Sequence, residues 1–125
     1  MPKIMVVDDD KEFTILYRDY LKLVGYDSVV ENESSKAMEL AHAAKPDLFI
    51  LDLMMPEPDG FKLCRMLRAD NEFKRTPILI VTALNDTDSK LVAIGAGAND
   101  YLTKPFYIET LKSRIDTLLD KVKKV

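Results

Sequence analysis

With 125 residues, 47% of them hydrophobic and 31% charged, the chain suits one domain with a sizeable core, and residues 1–125 are expected to form that single domain. Net charge is -3, with no basic block before the tail Lys121-Val122-Lys123-Lys124, so no direct nucleic-acid contact is expected. The lone cysteine, Cys64, excludes an intrachain disulfide, no apolar run nears the ~18 residues of a membrane span, and strand-like sequence begins too early for a signal peptide; the expectation is a cytoplasmic protein without membrane insertion.

The first element is a short, continuous apolar run, Ile4–Val7, which reads as a buried strand. Helical period follows over residues 11–24, with Phe13, Leu16, Tyr17, Tyr20, Leu21 and Val24 on one face and Gly25 at its end. One of Asp8–Asp10 is expected to cap that helix, and Asp9-x-x-Glu12 has capping-box spacing. Asp27–Glu31 is a weaker strand, carried by Val29 and Val30. Ser34 or Ser35 is the expected cap of a helix over 35–44, which Pro46 stops. Asp47–Leu53 is the strongest strand.

A turn-rich loop from Met55 to Gly60 leads to a helix over 60–69, and a polar stretch precedes strand 77–82. Asn85, Asp86 or Thr87 caps a helix over 87–95, which closes in Gly95-Ala96-Gly97. A strand over 100–103 and a helix over 107–122, burying Ile108, Leu111, Ile115, Leu118 and Val122, complete the chain. This fivefold strand–helix alternation predicts an α/β fold, a doubly wound parallel sheet of five strands with helices on both faces.

Four of these runs end on residues able to handle a metal-bound phosphoryl group. The first runs into Asp8-Asp9-Asp10, the third into Asp52, the fourth into Thr82, and the fifth into Lys104-Pro105. Open parallel sheets place their sites along the edge where the strands end, so these residues are expected to meet. Clustered carboxylates cannot all ionise cheaply, and a hard divalent cation such as Mg²⁺ resolves the conflict. Helix capping needs one acid only, and it does not explain Asp52, which ends a fully apolar run. Aspartate is also a nucleophile toward phosphoryl groups. Thr82 can donate to a phosphoryl oxygen or serve merely as a β-branched strand end. Lys104 can pair with the acids at rest and with a phosphoryl oxygen later. Tyr101 reads as a half-buried tyrosine.

Val6-Val7-Asp8-Asp9, Asp52-Leu53-Met54-Met55-Pro56 with Asp59-Gly60, Thr82-Ala83, and Asp100-Tyr101-Leu102-Thr103-Lys104-Pro105-Phe106 together resemble the receiver domain of two-component response regulators, over the whole chain and in order. The resemblance implies the flavodoxin-like strand order 2-1-3-4-5 and a phosphoacceptor at Asp52. It implies Mg²⁺, with Mn²⁺ as a substitute, held by Asp9, Asp52 and the Met54 backbone carbonyl, with Asp8 acting mostly through water. Thr82 and Lys104 match the two contacts to the phosphoryl group, and Ala83 the small residue that leaves it room. Tyr101 matches the aromatic switch that turns inward with Thr82, and the Lys104–Pro105 bond is expected to be cis.

The implied phosphodonor is a sensor histidine kinase or a histidine phosphotransfer protein, docking near the first helix. The phosphorylated aspartate would carry about -1.5 to -2 charge and alter the face made by the fourth helix, fifth strand and fifth helix. The signal would pass to a downstream target protein or output domain, and the chain would be no enzyme beyond its own phosphorylation and dephosphorylation. Two features vary from the familiar pattern. Pro58 adds a second proline to the loop after Asp52. Met54 and Leu84, two positions beyond Asp52 and Thr82, are apolar, from which slow self-dephosphorylation is expected.

Other readings are weaker on particular residues. A Mg²⁺-dependent aspartyl-phosphate phosphatase would want an acid where Met54 stands. An FMN carrier would want a phosphate-cradling loop where three acids stand. A receiver-like interaction module that is never phosphorylated is opposed by the complete residue set. Cys64 and the methionines at 5, 38 and 66 are expected in the core, and His42 facing solvent.

Overall fold

The computed structural model describes residues 1–123, with side chains as far as Lys121. Its strands are β1 (Lys3–Val7), β2 (Asp27–Glu31), β3 (Leu48–Leu51), β4 (Ile78–Thr82) and β5 (Asp100–Thr103). Its helices are α1 (Lys11–Leu23), α2 (Ala37–Ala44), α3 (Gly60–Ala69), α4 (Thr87–Gly95) and α5 (Ile108–Lys123). The strands form one parallel sheet in the order β2-β1-β3-β4-β5. This is the expected doubly wound arrangement.

β3 and β4 are buried at every position because helices cover both faces of the sheet. Alternate residues of each strand therefore serve two cores. Met5, Val7, Phe49, Leu51, Ile78 and Ile80 pack with α2, α3 and α4 through Ala41, Leu63, Cys64, Leu67 and Ala93. Ile4, Val6, Leu48, Ile50, Leu79 and Val81 pack with α1 and α5 through Tyr17, Leu21, Leu111, Ile115 and Leu118. The edge strand β2 is only half-buried, in keeping with its weaker apolar pattern.

Of the three acids expected to supply the α1 cap, Asp10 does so, its carboxylate accepting the Phe13 N–H at 3.1 Å, so the Asp9-x-x-Glu12 spacing is not used as a capping box. Several other local expectations change. Neither Ser34 nor Ser35 caps α2. Residues Ser34–Lys36 form a 3₁₀ turn ahead of it, and the buried Ser34 hydroxyl donates instead to the Pro56 carbonyl at 2.8 Å. β3 spans Leu48–Leu51 and is shorter than Asp47–Leu53; just past its end the Asp52 N–H still donates to the Val7 carbonyl at 3.1 Å, and Leu53 packs into the core. Leu16, Ile108 and Met66 are exposed rather than buried. The apolar stripe of α1 is narrower than its sequence, Ile108 is the first residue of α5, and the buried stripe of α3 runs through Leu63, Cys64 and Leu67 without Met66. The Val122 side chain lies outside the described residues. Among the described residues no helix is long and apolar enough to cross a membrane.

Candidate functional site

Sheet register brings the candidate residues to one edge. Val7 pairs with Leu51 and Leu51 with Ile80. Asp8 and Asp52 therefore leave adjacent strands at the same level, and Thr82 ends β4 one residue further on. Thr82 in turn pairs with Thr103, immediately before Lys104. β1 lies between β2 and β3, so Asp8 and Asp52 flank the point where strand order reverses, the usual crevice of such sheets.

Asp8 and Asp52 are buried at 2% and 8% exposure, and Lys104 bridges them. Its Nζ lies 2.9 Å from Asp8 Oδ2 and 2.9 Å from Asp52 Oδ2. The other oxygens of the two acids take backbone donors, Asp10 N–H at 3.0 Å on Asp8 and Met54 N–H at 3.1 Å on Asp52. Burial lifts the Asp8 carboxyl above its ordinary range, and the hydrogen bonds from Lys104 and Asp10 offset only part of that. For Lys104 burial opposes the charge, but hydrogen bonds to Asp8 and Asp52 outweigh it and raise its pKa, so it stays an ammonium at neutral pH.

The remaining candidates surround this bridge. Asp9 is exposed at the rim. Thr82 is fully buried, its carbonyl accepting the Lys104 backbone N–H at 2.8 Å and its hydroxyl standing 3.5 Å from the Leu84 N–H. Ala83 is exposed beside it. Tyr101 is half-buried, and its hydroxyl donates to the Leu84 carbonyl at 2.7 Å. The Lys104–Pro105 bond is cis, as is Glu57–Pro58 in the loop after Asp52.

Asp8, Asp9 and Asp52 outnumber the single ammonium, so the pocket has an excess of negative charge on hard oxygen donors. That donor set fits Mg²⁺ or Mn²⁺. Among the described residues no three His, Cys, Asp or Glu side chains form a ready-made cage. An ion here would draw on a backbone carbonyl and on water as well as on carboxylates, which is how Mg²⁺ is usually held.

The roles of four residues escaped the sequence reading. The Asn32 amide donates to the Asp8 carbonyl at 2.9 Å and to the Thr14 hydroxyl at 3.0 Å, joining β2 and α1 behind the acids. A polar residue directly after the second strand was a legible signal, of the same kind as those after the other four. Asp59 caps α3, accepting the Lys62 N–H at 2.9 Å, and Gly60 lets that helix start against Asp52. The Phe13 ring lies under Lys104, its centroid 4.3 Å from Nζ. An aromatic at that position reads as plain core, and only the tertiary fold brings it to the lysine.

Cys64 is buried and its thiol lies 3.5 Å from the Ala96 carbonyl. His42 is surface-exposed but engaged, its two ring nitrogens at 2.8 Å from Asp70 and 3.1 Å from Glu72.

Residues 4–116 match the family model described as the response regulator receiver domain. The chain is 38% identical, over all 125 residues, to the DNA-binding dual master transcriptional regulator RpaA of a Synechocystis species, covering 52% of that protein. It is 38% identical over 121 residues to the response regulator MprA of Mycobacterium leprae, covering 97% of this chain and 52% of that one. The chain thus spans about half the length of these curated relatives. Among solved structures, a putative response regulator from Chloroflexus aurantiacus superposes with a TM-score of 0.90 at 33% identity, covering 95% of this chain and 98% of that one.

Proposed function

This chain belongs to the response regulator receiver family, and we propose that its Asp52 accepts a phosphoryl group from a sensor histidine kinase or a histidine phosphotransfer protein. The observation that carries the reading is the Lys104 bridge. One ammonium lies 2.9 Å from each of two buried carboxylates, where the C-terminal ends of β1, β3 and β5 converge. An isolated buried acid pair would be costly. A pair held by a movable cation is poised to exchange one negative charge for another.

In the transfer, an Asp52 oxygen attacks phosphorus and forms a P–O bond. The P–N bond to the donor imidazole breaks, and its electron pair returns to the ring nitrogen. Mg²⁺, or Mn²⁺ in its place, would be held by Asp9, Asp52 and the Met54 carbonyl, with Asp8 acting through water, and would supply charge that offsets the phosphoryl oxygens. Lys104 exchanges its contact with Asp52 for a phosphoryl oxygen. The Thr82 hydroxyl, on the adjacent strand end, donates to another. Exposed Ala83 leaves space where a larger side chain would crowd the group.

Tyr101 reports the change outward. Its hydroxyl rests on the Leu84 carbonyl, two residues from Thr82, so a shift of Thr82 and its loop alters the tyrosine and the face made by α4, β5 and α5. That is a population shift between two packings, biased by a local charge. The readout is a downstream target protein or an output domain. The relatives' names include a DNA-binding regulator, which supports an output that acts on DNA through a further part of such a protein. Met54, apolar and exposed two residues beyond Asp52, has no proton to give a leaving group. This supports an acceptor over a phosphatase.

Incubation with Mg²⁺ and acetyl phosphate should add one phosphoryl mass that is acid-labile and hydroxylamine-sensitive. Asp52→Asn should lose it while keeping its fold; persistent label in that variant would refute the assignment.

A further inference from the structure

We propose that Phe13 is a positioning residue for Lys104, its ring face keeping the ammonium over the acid pair during the transfer described above, on which this inference rests. Lys104 Nζ has two oxygen partners, the Oδ2 atoms of Asp8 and Asp52. An ammonium carries three donors, and what lies against its remaining side is the Phe13 ring, 4.3 Å away at the centroid. The negative face of the ring attracts a cation, most strongly where water is excluded. The Lys104 side chain is only 16% exposed.

The ring itself is held from three directions. Asp10 accepts the Phe13 N–H and fixes the first turn of α1. Tyr17, one turn on, meets the ring at 5.0 Å, tilted by 58°. Phe106, two residues after Lys104, meets it edge-on at 6.1 Å. The lysine and the ring beneath it are therefore fixed to one another through both ends of the contact.

This arrangement matters when Asp52 becomes an acyl phosphate. Lys104 then loses a carboxylate partner, and its long stem has ample freedom to swing into solvent. The attraction of the ring does not depend on the charge of Asp52, so it persists through the step. It also leaves the ammonium's donors free for the phosphoryl oxygens, which a third carboxylate would not.

The test is Phe13→Leu against Phe13→Tyr, labelled with acetyl phosphate and Mg²⁺. Leucine keeps an apolar side chain of similar bulk and removes the π face, and F13L should label about threefold to tenfold more slowly, in line with a desolvated cation–π contact. F13Y, which keeps the face, should recover the rate. The Lys104 ε-methylene proton signals should lie upfield in the parent and in F13Y and return to ordinary shifts in F13L. In urea unfolding, F13L should cost less stability in a Lys104→Ala background than alone. Labelling of F13L at the parent rate, equal slowing by both substitutions, or additive unfolding effects would each overturn the inference. A parent protein that takes no label overturns the phosphoacceptor reading, and this inference with it; the lysine signals then show separately whether the contact exists.

Discussion

Gly60 stands so close to Asp52 that a Cβ on it would lie 2.1 Å from the Asp52 carbonyl oxygen and 2.6 Å from Leu53 Cα. The Gly60 N–H donates to the Leu53 carbonyl at 3.1 Å. The start of α3 thus closes directly onto the strand end that carries the proposed acceptor. The obstacle is backbone, which cannot rotate away as a side chain would. Gly60→Ala must push α3 outward, and its expected cost is about 2–3 kcal/mol, at the upper end for overpacking. Urea unfolding measures this. Labelling of Asp52 in the folded fraction should also slow, because the Met54 N–H that orients Asp52 lies in the displaced loop.

Tyr17 is 3% exposed, and its hydroxyl has no hydrogen-bond partner among the described residues. Burial, followed by the charges of Asp8 and Asp52, pushes its pKa upward, so it stays a neutral phenol. An unsatisfied buried hydroxyl costs about 1–3 kcal/mol. Tyr17→Phe keeps the ring contacts with Phe13 and Phe106 and should raise stability by ~1 kcal/mol. A loss of stability would reveal a buried water bound to the hydroxyl.

His42 clasps α2 to the stretch after α3. Its hydrogen bond with Glu72, aided by Asp70, raises its pKa above 6.5, while the same contact and Lys45 lower that of Glu72. A raised histidine value means that its contribution is fully present below the unfolded pKa, about 6.5. The contribution is lost as pH rises through the higher folded value. Glu72 behaves oppositely, contributing above its unfolded value and losing the contribution as pH falls through its depressed one. The clasp should therefore be strongest in mildly acidic solution. The urea midpoint of the parent should decline above about pH 6.5, and His42→Gln should flatten that decline. Identical pH profiles would show that the clasp contributes nothing measurable.

Phosphoryl lifetime should respond to Met54 and Leu84. Met54 is 58% exposed at the rim, and Leu84 is half-buried with its carbonyl on Tyr101. Neither side chain can hydrogen-bond a water for attack on the acyl phosphate. Met54→Asn combined with Leu84→Glu should accelerate decay of the label by about tenfold or more, since a positioned proton acceptor is worth ~10²-fold or more in favourable cases. Decay after removal of phosphodonor measures this, and an unchanged rate would show that water is oriented by other groups.

Much of this was legible because the signals are local. Short continuous runs rich in Val and Ile, bounded by turn residues, read as strands buried on both faces. Alternation with helical period forces them parallel, and parallel strands deliver the residues after them to one edge. Asp8, Asp52, Thr82 and Lys104 could therefore be gathered from spacing alone. That one of Asp8–Asp10 caps α1 was legible and holds, but composition does not say which acid has the extended backbone that reaches the Phe13 N–H; the structure selects Asp10. Met66 and Leu16 were misplaced because a helical stripe has blurred edges, and only neighbouring helices decide where burial stops.

What the sequence by itself determined was the sheet, its two covered faces and the identity of the residues at its C-terminal edge, since hydrophobic periodicity and strand direction follow from residue order. What only the tertiary structure decided was contact between side chains far apart in the chain. It set Lys104 at equal distances from two acids, laid Phe13 beneath it, placed Asn32 behind Asp8 and pressed Gly60 onto the Asp52 carbonyl. Such contacts depend on ångström-scale approach between separate elements, which register and packing fix after the local pattern has been satisfied.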